Sequence, residues 1–263
     1  MSAGFCLWAD LLGHLHDTCL KKLNIMEEVY SVIAYADDIA IPIEGNSRNQ
    51  IEDKIKTVSN ELKLWCDKNK LTISADKTKH MVFKSRLIRN PTVKYENKNI
   101  ARVKTFKYLG VIIDEKLSFS DHIEETTNKI LIVRNKLLTL ANTKFKLPLK
   151  LIGLYNNQII KAIGTYGSSI WAHRLKENMK LAEKLDRAQR TILLRMSGAY
   201  RTTPGVALNV ILGILPLNLE ARKLAAYYWL KKNNLTKTTE ILNQMPNSKE
   251  EIEEIIAKIW QSH

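Results

Sequence analysis

Glycine and proline are scarce in this 263-residue chain, ten and six residues respectively. An all-β architecture built on tight turns is therefore disfavoured, since such turns draw on both residue types. Cysteine is scarcer still. Cys6, Cys19 and Cys66 are odd in number, far apart and form no CxxC pair. This argues against a disulfide framework or a zinc knuckle and for a reducing, intracellular setting. No run of about 18 apolar residues is available to span a bilayer. The N-terminal MSAGFCLWADLLGHLHD has no basic leader and carries Asp10 inside its apolar stretch, so no signal peptide is expected. Repeats, linkers and low-complexity segments are missing as well. With 45% hydrophobic and 26% charged residues, the chain has the composition of a globular protein that needs no staples to hold a core.

Acid is the other shortage: 27 Asp+Glu stand against 41 Lys+Arg, a formal net charge of +14. The excess is concentrated. Eleven Lys/Arg face only Asp76 and Glu96 between Asn69 and Tyr108, and nine face no acid at all between Lys129 and Lys176. Each block carries +9, which leaves the rest of the chain mildly acidic. The sign of the charge favours a polyanionic partner, nucleic acid or an anionic membrane surface, and two basic blocks of this kind resemble a nucleic-acid track more than a solubility device. The competing reading is a set of solvated lysines on helix faces. Electrostatics alone supplies affinity without naming a reaction.

Along the chain, apolar spacing predicts a helix over 5–24. Two β-rich runs, 29–35 and 39–43, flank Ala36, Asp37 and Asp38, which reads as a hairpin with two aspartates at its tip. Pro42 places the second strand at an edge or ends it early. Residues 48–69 read as an amphipathic helix with Ser47 as N-cap and Ile51, Ile55, Val58, Leu62 and Trp65 on one face. Short strands are expected at 71–74, 80–84, 92–95, 100–104 and 106–113. After Asp114 the texture turns helical: 121–142, capped by Asp121 with Glu124, then 148–163, 177–196, 204–213, 217–233 and 249–261. The fold class is therefore α+β, with mixed structure to about Asp114 and helices beyond.

The adjacent aspartates carry the chemistry. Divalent cations in two-metal sites sit about 3.5–4 Å apart, held by clustered carboxylates, and Mg²⁺ takes oxygen ligands that short aspartate arms present well. Neighbouring residues in a strand point to opposite faces, whereas a tight turn lets both reach one side. A plain polar β-turn is the competing reading, since Asp is a common turn residue. A nuclease using the same pair finds no supporting His or Glu cluster.

Tyr35-Ala36-Asp37-Asp38 between apolar strands resembles the catalytic hairpin of reverse transcriptases, and its surroundings resemble those of non-LTR retrotransposons of the jockey and R1-like groups. FCLWADLL (5–12) is similar to the end of the helix before that hairpin. LTISADKTKHMVF (71–83) resembles the motif with a Lys-Thr pair, here Lys77 and Thr78. FKYLGVIIDEKLSFSDHI (106–123) resembles the primer-grip hairpin and the entry to the thumb. TYGSSIWA (165–172) and AYRTTPGVALNVILGILPLNLEA (199–221) are similar to segments downstream of the palm in these transposable elements. The resemblance runs to about Lys232.

It implies an RNA-directed DNA polymerase acting by nucleotidyl transfer, with Mg²⁺ (or Mn²⁺) held by Asp37 and Asp38. Tyr35 and Ala36 would lie near the incoming nucleotide and the primer end, and Lys77 near the triphosphate. Tyr108, Leu109 and Gly110 would shape the primer-supporting turn, and Gly110 reads as a close approach of backbone or a bulge. Apart from the resemblance, the charge of the second basic block marks Lys144, Lys146 and Lys150 as nucleic-acid contacts. Arg201 has a match but no derivable role. The implied partners are an RNA template, a DNA primer and deoxynucleoside triphosphates, with no membrane, and the implied location is nuclear.

The expected division is a C-terminal part of the palm at 1–115, a helical thumb at 116–198 and a helical extension at 199–263. The resemblance also implies fingers and a third carboxylate on an earlier strand. The 34 residues before Tyr35 match a later part of the family pattern, and Asp10 and Asp17 fall on the predicted helix. The expectation is thus a reverse transcriptase fragment, inactive alone. The alternative is a catalytically dead nucleic-acid-binding module derived from one.

Overall fold

The computed structural model describes residues 19–36, 38–83, 87, 89–140 and 149–262. Its contacts divide the chain into two compact units, Met1–Phe106 and Lys107–His263. The fold is mixed, with many helices and four small two-stranded sheets among the described residues.

In the first unit, α1 covers 19–24; the rest of the helix predicted over 5–24 lies outside the described residues. The antiparallel hairpin of β1 (Ile33–Tyr35) and β2 (Asp38–Ala40) follows. It is shorter than its apolar flanks, which continue as irregular chain, although Tyr30 N–H still donates to Pro42 C=O at 3.1 Å. Helix α2 (Arg48–Lys68) starts where predicted, with the Ser47 hydroxyl accepting from Gln50 N–H. Its inner face meets the hairpin's flanks in a small core. Val29 and Val58 are buried there with Cys19 and Leu23, and Val32, Ile41, Ile43, Leu62 and Trp65 pack around them. Burial of those flanking residues on α2 is what holds the hairpin in place.

The remaining strands of this unit are shorter than their apolar pattern suggested. Only Lys79–His80 (β3), Lys94–Tyr95 (β4), Lys98–Asn99 (β5) and Ala101–Arg102 (β6) pair, and 71–74 forms no strand. With lysines on both faces there is little apolar surface for a wide sheet to bury. β3 runs parallel to β6, with Lys79 opposite Ala101 and His80 opposite Arg102, so the Lys77-Thr78 segment leads directly into this pair. β4 and β5 close through Glu96 and Asn97, both at positive φ (47° and 62°), as a primed two-residue turn requires.

β7 (Thr105–Tyr108) straddles the division and pairs with β8 (Val111–Asp114). Helix α3 (Ser120–Leu140) follows, then α4 (Leu149–Tyr155), a π-helical turn (Asn156–Ile160) and α5 (Lys161–Gly164). The single helix predicted over 148–163 is thus interrupted. The π turn directs both Asn156 and Ile160 inward, and Gln189 Nε2 donates to the Asn156 carboxamide at 3.1 Å. Two short helices, α6 (Ser168–Trp171) and α7 (His173–Glu177), lead to α8 (Met179–Ser197), which is capped by Asn178 and ends at Gly198. α9 (Gly205–Leu212), α10 (Leu217–Lys231), α11 (Leu235–Leu242) and α12 (Lys249–Gln261) complete the unit. One core runs through it, from Val111 and Ile123 through Trp171, Leu185 and Leu193 to Ala225 and Ile256. No single described helix is long and apolar enough to cross a membrane.

The cap of α3 differs from the expectation. Asp121 lies in the first turn of α3, and the carboxylate that orders the loop leading into the helix belongs to Asp114. Asp114 accepts from the N–H groups of Lys116, Ser118 and Phe119 at 3.0, 3.0 and 2.7 Å. Burial by itself raises the Asp114 pKa, but these donors outweigh it and the net direction is down. The carboxylate therefore contributes stability above its unfolded pKa of about 3.9, and that contribution fades as pH falls through the lower folded value. Asp114→Asn should cost about 1–2 kcal/mol at neutral pH. In thermal melts the gap between wild type and variant should close below about pH 4. A gap that stays constant across pH would show that the charge contributes nothing.

Candidate functional site

The predicted residues fall into two groups, one in each unit. In the first, β1 and β2 pair as Ile33↔Ala40, Ala34↔Ile39 and Tyr35↔Asp38. Opposed residues share a face, so Ile33, Tyr35, Asp38 and Ala40 lie on one side. That side is open: Ile33 is 50% and Tyr35 65% exposed, and Asp38 is exposed too. Asp38 is the first residue of β2 rather than part of the turn, which is a shift from the expectation of two aspartates at the tip. Its carboxylate has no hydrogen-bond or ion-pair partner among the described residues. Asp37 lies outside the described residues. Ala36 sits at φ 52°, a left-handed conformation that is uncommon without glycine and costs of order 1 kcal/mol. Lys77 is exposed in a turn at 75–77. Its N–H donates weakly to Ser74 Oγ at 3.4 Å, and its side chain shares no bond with Asp38.

No group of three or more His, Cys, Asp or Glu able to hold a metal ion occurs among the described residues. The donor chemistry of Asp38 nonetheless suits a hard divalent cation: an exposed carboxylate with both oxygens uncommitted.

The second group is the turn between β7 and β8. Leu109 and Gly110 both have positive φ, 46° and 82°, so Gly110 is the second residue of a tight turn and not a bulge. A Cβ on Gly110 would stand 3.0 Å from Tyr166 Cε1 and 3.3 Å from its hydroxyl oxygen. That hydroxyl donates to Leu109 C=O at 2.9 Å. Tyr166 is held in turn by Trp171, which is fully buried and whose Nε1–H donates to Tyr166 C=O at 2.9 Å. Gly167, at φ 63°, abuts Val111, where a Cβ would lie 2.8 Å from Cγ2. On the other side His122 packs its ring on Trp171, centroids 5.6 Å apart, and accepts from Ile112 N–H at 3.3 Å. Burial, followed by the charge of Lys129, pushes the His122 pKa down, which keeps the imidazole neutral in this role. The 106–113 and 165–172 segments thus form one structural block. Sequence reading found both segments but assigned no role to Tyr166, Gly167 or His122; the adjacent Tyr-Gly pair ahead of a tryptophan was the available signal.

This geometry sets two opposite expectations for glycine replacement. Gly110→Ala should destabilise by about 1 kcal/mol or more, from positive φ and the Tyr166 contact together. Gly153→Ala, within α4 where a Cβ meets nothing within 4 Å, should stabilise by about 0.5–1 kcal/mol. Chemical denaturation of the two variants reads both signs.

The basic blocks are less free in space than in sequence. Glu125, from outside both blocks, bridges Lys107 and Lys129 at 2.8 and 2.7 Å, and these bonds pull its pKa down to about 2. Lys161 pairs with buried Glu220, which also meets Lys223 at 3.3 Å, and Arg174 pairs with Glu177. Lys150 remains exposed on α4. Lys144 and Lys146 lie outside the described residues. Arg201 contributes its backbone: Arg190 donates to the C=O groups of Arg201 and Thr203, each at 2.8 Å, so Arg190 clamps the 201–203 turn. The Arg201 side chain is exposed.

A family profile described as reverse transcriptase (RNA-dependent DNA polymerase) matches residues 7–113. The chain is 29% identical over 83% of its length to a 115 kDa protein of the type-1 retrotransposable element R1DM of Drosophila melanogaster, and spans 21% of that protein. It is 27% identical, over 92% of its length and 74% of the relative, to a retrovirus-related Pol polyprotein from the type-1 retrotransposable element R1 of Nasonia vitripennis. It is also 25% identical over 67% of its length to the RNA-directed DNA polymerase from the mobile element jockey of Drosophila melanogaster, covering 19% of it. No solved structure matches.

Proposed function

We propose that this chain, a relative of the polyproteins of R1- and jockey-type non-LTR retrotransposons that carries part of a reverse transcriptase domain, works as the C-terminal part of an RNA-directed DNA polymerase. In this reading residues 1–115 belong to the palm, 116–198 to the thumb and 199–263 to a helical extension. The observation that carries it is Asp38: an exposed, unpaired carboxylate on an open hairpin face, within the segment that the reverse transcriptase profile matches.

Asp37 and Asp38 would hold the divalent metals, Mg²⁺ or Mn²⁺. When bound, such metal lowers the pKa of the attacking 3′-hydroxyl and neutralises the triphosphate. Asp38 presents its oxygens to the open side with no protein cation competing for them. Tyr35, on the same face, offers a broad apolar surface against a sugar or base. Lys77 carries an exposed ammonium suited to the charge that develops on departing pyrophosphate. The turn at Tyr108, Leu109 and Gly110 supports the primer strand, and Lys144, Lys146 and Lys150 follow the nucleic-acid backbone. The substrates are a primer–template and deoxynucleoside triphosphates, used in the nucleus. Primer extension by this chain joined in frame to an upstream fingers-and-palm segment, with and without Asp37 and Asp38, tests the reading.

A further inference from the structure

We propose that Tyr166 is a nucleic-acid contact of the 108–110 turn, its ring bearing on a nucleotide of the bound strand while its hydroxyl pins the turn. This rests on the reading of that turn as the support of the primer strand.

The pin comes first. Leu109 at φ 46° is an outlier, since a bulky side chain avoids the left-handed region. Such a conformation persists only where the surroundings over-determine it. Tyr166 supplies the constraint in two ways: its hydroxyl donates to Leu109 C=O, and its ring edge fills the space that a side chain at Gly110 would need. Tyr166 is itself fixed, by the bond from Trp171 Nε1 to its carbonyl and by the close contact of Gly167 with Val111. Trp171 is fully buried, so the anchor lies in the core of this unit.

The contact follows from what the pin leaves uncovered. One edge of the ring meets the turn, yet Tyr166 is 56% exposed, and Leu109 beside it is 40% exposed. An aromatic ring held rigidly next to an exposed apolar turn, in a unit whose basic block attracts a polyanion, is a stacking platform for a base or sugar. Aromatic contact of this kind tolerates any sequence, as a polymerase needs. It also differs measurably from a lysine–phosphate contact, because no counterion is released when it forms.

The test uses the full chain and a primer–template duplex, with binding titrated across salt concentrations and amide exchange followed at the turn. Tyr166→Leu should weaken binding roughly tenfold or more with the salt slope unchanged. Tyr166→Phe keeps the ring, so it should weaken binding less, but it should speed exchange of the amides at 109–111. Both variants lose the hydroxyl bond and should still unfold cooperatively, with a similar small drop in unfolding temperature. A larger loss of affinity in Tyr166→Leu than in Tyr166→Phe therefore reads the ring and not the fold. Unchanged affinity in Tyr166→Leu, with the wild type binding, would overturn the contact alone. Equal losses in the Leu and Phe variants would also overturn it, by assigning the whole effect to the hydroxyl. Unchanged exchange in Tyr166→Phe would overturn the pin. A wild-type chain that does not bind would overturn both this proposal and the reading beneath it.

Discussion

Primer extension by the 263-residue chain alone, with Mg²⁺ or Mn²⁺, is expected to be undetectable. Joined in frame to an upstream fingers-and-palm segment, the chain should become active, and Asp37→Ala or Asp38→Ala should then abolish the activity. The chain supplies two of the carboxylates that the resemblance implies, and no third acidic or histidine ligand gathers with Asp38 among the described residues. Removing one group from a preorganised electrostatic site costs roughly 10²–10³ in rate. Asp38 is a clean position for the test because its carboxylate is exposed and has no partner among the described residues, so alanine there should leave the fold intact. Extension by the unfused chain, lost on Asp37→Ala, would mean that the third ligand is already present in these residues. An active fusion indifferent to both substitutions would reduce Tyr35-Ala36-Asp37-Asp38 to a turn.

What the sequence made legible was local chemistry; what it hid was set by contacts between distant residues. The Ser47 cap and the apolar stripe of α2 were readable because a capping hydroxyl and a 3.6-residue period act within one helix. The hairpin was readable for the same reason, through two β-rich runs on either side of a short polar interruption. Its register was not. Whether Asp38 sits in the turn or opens the strand depends on which residues of 29–43 find α2, a tertiary question. Asp121 falls inside the first turn of α3 and not before it, and the order of the preceding loop comes from Asp114, whose bonds to Ser118 and Phe119 N–H need the chain to double back. The strands between 71 and 104 were over-read, since a short apolar run shows β-propensity without showing whether a sheet exists to receive it. Of the candidate site, the aspartates and the Tyr108-Leu109-Gly110 turn were visible as motifs. The bracket of Tyr166, Gly167, Trp171 and His122 around that turn needed coordinates, because its bond from Tyr166 to Leu109 joins residues 57 apart in sequence.

Binding of the chain to primer–template or structured RNA should fall by roughly 10³–10⁵ between 50 and 200 mM salt if about 6–10 phosphates are contacted. The prediction becomes sharper once ion pairs are considered, because not every lysine in the basic blocks is available to phosphate. Lys107 and Lys129 already share Glu125, and Lys161 is tied to Glu220, which is itself buried. Lys150 is exposed and carries no such pair. Charge reversal at Lys150 should therefore weaken binding to all sequences alike and flatten the salt slope, with little change in unfolding temperature; reversal at Lys144 and Lys146, which lie outside the described residues, should add to the loss of binding. Lys161→Glu should act differently: it sets a second carboxylate against buried Glu220, which keeps only Lys223 as a cationic partner, and should destabilise the fold before binding is considered. The two variants thus separate phosphate contact from structural charge. A flat salt dependence in the wild type would mean that the blocks are solvated helix faces. A Lys150 reversal that unfolds the chain, while Lys161→Glu leaves it stable, would invert the roles of Lys150 as a free cation and Lys161 as a paired one.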